Sequence, residues 1–196
     1  MRRTTTPAGA VRRSAGRRAA TLAIAVTSAL LLAGCTDHGA STAPPWPAPT
    51  DRTARAEDAG LRNVWGEKLA EHIHSHVTIT DDGAPVTIPG DVGHSVRARF
   101  AAQLHTHNTS GIVHVESPTL STFTLGQFFT EWDVAIGPGH VGGLRGELTV
   151  WVDGRRYFGN PARIRLRDLE QVDLVVTTIG HVPHQPAAFV WPHQYH

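Results

Sequence analysis

The 196-residue chain has one cysteine, Cys35, and one methionine, Met1. No internal disulfide can form, and no thiolate cage for a metal can be built. The shortage of both sulfur donors argues against a dedicated Cu(I) site. Basic charge is also scarce in the body of the chain. Six of the 18 Lys and Arg residues lie in the first 34 positions, and the remainder carries 12 basic against 17 acidic residues, a net −5 with His neutral. No basic stripe is left for a phosphate backbone, so nucleic-acid binding is not expected. Neither HExxH nor GxSxG occurs, so two common hydrolase signatures are absent as well. Histidine is what the chain has in excess: 13 residues, all of them after position 34.

Residues 1–34 read as an export signal. Arg2, Arg3, Arg12, Arg13, Arg17 and Arg18 precede the apolar run "AATLAIAVTSALLLAG", which ends at Cys35. That run is too short for a good membrane span. "LLAGC" resembles a bacterial lipobox, which implies cleavage before Cys35 and lipidation of Cys35, with palmitate among the attached chains. The expected location is the extracytoplasmic face of the cell membrane, with the membrane as partner through that lipid. Residues 36–60, rich in Pro, Ala, Thr and charge, read as a flexible tether that follows the lipidated cysteine. A folded domain is expected over 61–182, with a Pro-punctuated tail at 183–196 that docks through Phe189 and Trp191 or stays loose.

Period-2 segments dominate that domain. "HVTITDDGAPVTIP" reads as a hairpin about Asp82-Gly83, and "ELTVWVDGRRYF" as another about Asp153-Gly154. "LHTHNTSGIVHVES" is a third strand pair, while "ARIRL" and "QVDLVVTTIG" are two further strands, the last apolar enough to be central. One short helix is expected from about Leu125 to Trp132. Thr124 and Gln127 have capping-box spacing before it, and Phe123 and Phe128 occupy the staple positions. The expected class is α+β: a mainly antiparallel sheet of several hairpins with one short helix, grasp-like in its second half.

Side chains alternate faces along a strand. His72, His74 and His76 therefore share one face, and Ile73, Val77 and Ile79 share the core face. In the third pair, a turn of two or four residues about Thr109–Ser110 sets His105 opposite His114. His105, His107, His114 and Glu116 then lie on one face and Leu104, Val113 and Val115 in the core. An odd loop breaks that register. Clustered imidazoles suit a divalent transition metal, with Zn²⁺ or Cu²⁺ foremost. The expected centre is His74, His76, His105 and His107, with His72, His114 and Glu116 as alternatives or orienting groups. Asn108 and His140 are candidate supporting groups. His181, His184, His193 and His196 read as exposed or weakly chelating, and His38 and His94 as surface residues.

The stretches "HIHSHVTI", "IPGDVG", "LHTHNTSGIVHVESP" and "FTLGQFFTEWDV" together resemble a family of small exported or membrane-attached prokaryotic proteins whose activity is uncharacterised. Asn108 stands where that family usually has Asp, and Glu170 where a His is common. If those positions help hold a metal, affinity or metal choice differs here. Three functions follow as expectations. The first is a lipoprotein that captures, buffers or senses a metal. The second is a metal-dependent hydrolase or oxygenase with Glu116 as general base. The third is an envelope interaction domain whose His face loosens in acid.

Overall fold

A computed structural model describes residues 45–195; the signal segment, Cys35, the start of the tether, His38 and His196 lie outside these described residues. In chain order the elements are α1 (Arg52–Asp58), β1 (Glu71–Asp81), β2 (Ala84–Pro85), β3 (His94–Ser95), β4 (Phe100–Ala101), β5 (Leu104–His105), β6 (Ile112–Ser117), α2 (Leu125–Glu131), β7 (Ile136–Gly137), β8 (His140–Val141), β9 (Glu147–Val152), β10 (Arg155–Tyr157) and β11 (Glu170–Thr177), with short 3₁₀ turns at Pro161–Arg163 and His193–Tyr195. The main sheet runs β10-β9-β11-β1-β6-β5, with β2 on β1, while β3–β4 and β7–β8 form separate two-stranded ribbons. The class is α+β and mainly antiparallel, as its alternation predicts.

Two residues separate each tight pair. Asp82-Gly83 (φ 46° and 84°) joins β1 to β2, and Asp153-Gly154 (φ 46° and 74°) joins β9 to β10. Positive φ at both positions is what a primed hairpin turn demands, and Asp-Gly tolerates it. The pairing β1–β11 is parallel, with Val77 beside Val172 and Ile79 beside Leu174. β11 is buried along its whole length, as expected of a central strand.

The odd-numbered face of β1 carries the core. Val77, Ile79, Leu104, Val113, Val115, Val172 and Leu174 are all buried there against α2 residues Phe128 and Phe129. Each such side chain contributes roughly 1.5–3 kcal/mol by leaving water. α2 starts as its sequence predicts. The Thr124 side chain accepts from the Gln127 N–H, and the Gln127 side chain accepts from the Thr124 N–H.

Two expectations need correction. Residues 45–60 are not a loose tether: α1 presses Ala56 into the core, and the Trp46 ring meets Trp132 edge-on at 5.7 Å. The small alanine side chain lets this helix sit close without an apolar stripe. "ARIRL" is not a strand. Ile164 and Leu166 are buried as a strand pattern requires, but the segment they pair with, 123–125, turns at once into α2, leaving a single bridge at Thr124–Arg165. Of the two alternatives for the tail, docking is the one found. The Phe189 N–H donates to Gln171 Oε1 at 2.6 Å, and the Gln171 amide donates to the Ala187 carbonyl at 3.1 Å. Residues 45–195 all fall within one compact unit. Among them no helix is long and apolar enough to cross a membrane.

Candidate metal centre

The β1–β6–β5 register builds the site. His74 lies opposite His114, and His114 opposite His105, so three imidazoles form one row across three adjacent strands. His72 and Glu116 form the next row. Residues 106–113 separate the paired His105 and His114. The connection between β5 and β6, residues 106–111, is longer than the expected two or four residues, but the even separation preserves the parity. The same parity sends Leu104, Val113 and Val115 to the core face.

Ring centroids in the cluster are 4.6 Å apart for His74–His114, 5.2 Å for His105–His114, 4.4 Å for His107–His114 and 4.8 Å for both His72–His74 and His105–His107. Two trios each offer three ring nitrogens within 4.8 Å of one another: His72, His74 and His114, and His105, His107 and His114. These groups could hold a metal ion. His105 Nε2 and His107 Nε2 are already 3.3 Å apart. A tetrahedral ion with bonds of about 2.0–2.1 Å holds its nitrogens at about that spacing.

The surroundings favour ligand-ready imidazoles. His105 is almost wholly buried (1% exposed), and its Nδ1 sits 2.8 Å from the Ala102 carbonyl. A carbonyl only accepts, so Nδ1 carries the proton and Nε2 keeps its lone pair toward the cluster. Burial first, then repulsion from neighbouring imidazoles, pushes His114 down to about 2 and His105 to about 3. Burial also lowers His74 and His107. The Nδ1 of His114 is buried without a hydrogen-bond partner. A cluster kept neutral in this way gives up few protons on binding a cation.

The other candidates are placed as follows. Glu116 joins the cluster, its Oε1 3.3 Å from His72 Nε2 and 3.9 Å from His105 Nε2. His76 points to the same face but stands apart from both trios. Its ring stacks on Phe189 at 3.6 Å and its Nε2 meets the Ser110 carbonyl at 3.0 Å. Burial lowers it to about 4. Asn108 spends its side-chain oxygen on the Ser110 N–H at 2.9 Å, capping the loop. His140 is exposed in the β7–β8 ribbon. Glu170 pairs with Ser75 in the register, hence faces away from the imidazoles, and meets Arg167 at 3.3 Å.

Two residues escape the sequence pattern. His94, read as a surface residue, is buried at 7% exposure, with its ring 4.4 Å from His107 and 5.4 Å from His105. Its Nδ1 lies 3.3 Å from Asp91 Oδ1. β3 is two residues long, so no alternation announces it. Tyr195, near the chain's end, lays its ring 4.5 Å from His74. No protein-family model, no curated protein and no solved structure matches the chain.

Proposed function

We propose that this chain binds a divalent transition metal through His105, His107 and His114, and that it works outside the cytoplasmic membrane, anchored by lipid on Cys35, to capture, buffer or sense that metal. One observation carries the reading: two trios of ring nitrogens that share the buried His114 on a single sheet face. Imidazole nitrogen without thiolate suits Zn²⁺ or Cu²⁺. The His105–Ala102 hydrogen bond supports it, because an outer carbonyl that fixes the tautomer is the usual companion of a ligating histidine. The lipid anchor rests on the basic, apolar and cysteine order of residues 1–35 alone. Elemental analysis of the purified chain after dialysis is the test. At least one equivalent of Zn or Cu supports the reading. Metal-free protein that ignores both added ions in calorimetry removes it.

A second reading is favoured by Glu116, whose oxygen sits beside both His72 and His105. A carboxylate there can take a proton from a metal-bound water, whose pKa falls to about 7 on a catalytic zinc. This makes a hydrolase the alternative. Turnover of ester or phosphoester substrates by the zinc-loaded chain, lost in Glu116→Gln with metal retained, would favour it over storage.

A further inference from the structure

The five central imidazoles do not converge on one point. His72 and His74 group with His114 on one side, and His105 and His107 group with it on the other. A single ion cannot collect both pairs without moving one of them. Each side also has a donor pair at the spacing of neighbouring ligands on one tetrahedral ion. His105 Nε2 and His107 Nε2 are 3.3 Å apart on one side. His72 Nε2 and Glu116 Oε1 are 3.3 Å apart on the other. The same Glu116 oxygen is 3.9 Å from His105 Nε2, so this carboxylate stands between the two groups.

We propose that the site is binuclear. One divalent ion sits with His105, His107 and His114, a second sits with His72 and His74, and Glu116 contributes to both. The inference rests on the proposed metal-binding function and adds its stoichiometry. A carboxylate has two oxygens and can span a pair of ions, which two-metal sites hold about 3.5–4 Å apart. The ions are not equivalent. Each group has one exposed imidazole, His72 or His107, and both share the buried His114; His105, almost wholly buried, belongs to one group alone, so the ion beside it binds first.

Titration of the metal-free, detergent-solubilised full chain with Cu²⁺ tests this. Calorimetry counts equivalents and electron paramagnetic resonance reports whether the ions feel each other. Two equivalents are expected, with a half-field signal from coupled spins that appears only as the second ion binds. His72→Ala should leave one equivalent, abolish the half-field signal and keep the first-site affinity within about threefold. Glu116→Gln, which preserves volume, should reduce the second-site affinity at least tenfold and serves if the alanine variant misfolds. One equivalent in the unaltered chain overturns the binuclear centre while leaving the single-metal function standing. Two uncoupled equivalents overturn it as well. No binding at all removes both.

Discussion

Acidifying the protein from pH 7.5 to 5.5 should barely weaken its first metal site. Protons compete with metal ions for imidazole nitrogen, so affinity falls once the pH drops below a ligand's pKa. An ordinary histidine, with a pKa near 6.5, loses about tenfold in metal affinity over these two units. Three such ligands would together lose about 1,000-fold. Burial instead holds His105 at about 3 and His114 at about 2, so neither takes up a proton in this window. His107 is also lowered, again chiefly by burial, and it alone among the three can compete. The loss should therefore stay below about tenfold. Competition against a chromophoric chelator calibrated at each pH measures it for the first equivalent of Zn²⁺, with circular dichroism confirming the fold. A 1,000-fold loss would show that these imidazoles titrate like exposed ones, and the buried, neutral cluster would be refuted.

Other expectations concern the frame around the cluster. Glu131 is buried at 1% exposure beside the β3–β5 region, neither oxygen has a partner, and burial pushes it up to about 9. A raised carboxyl is lost stability as the pH climbs from its unfolded value toward its folded one. Glu131→Gln should therefore gain roughly 3 kcal/mol more at pH 7.5 than at pH 5.5 in urea unfolding of metal-free protein; an equal effect at both pH values would contradict this. Phe189→Ala removes the ring stacked on His76, so the His76 pKa should climb by at least one unit from about 4, as read by imidazole resonances in NMR. An unchanged value would mean that the tail does not bury it. Gly111 has φ +81°, and an added Cβ would meet the Val77 carbonyl at 2.4 Å. Gly111→Ala should cost at least about 2 kcal/mol in denaturant unfolding, and a neutral result would show the loop free to shift.

Strand parity made the His face legible. "EHIHSHVTI" alternates imidazoles with Ile73, Val77 and Ile79, and one-sided burial fixes which way each points. The Thr124–Gln127 cap and the Asp-Gly turns were equally local, and local chemistry decides them. Parity gives a face but not a position along it. His76 shares the face of His74, yet its place in the fold depends on Phe189, a residue on the tail whose docking no period encodes. His94 joins the cluster from a two-residue strand, and α1 is held by alanines rather than by an apolar stripe. The parallel β1–β11 pairing joins segments far apart in the chain, and nothing in either segment names its partner.

The most direct test is anomalous diffraction from crystals of the zinc-loaded chain, collected on both sides of the zinc edge. A peak bonded to ring nitrogens of His105, His107 and His114 is the predicted result. No peak on that sheet face, or one confined to His181 and His184 elsewhere on the surface, would contradict the assignment of this cluster as a metal centre.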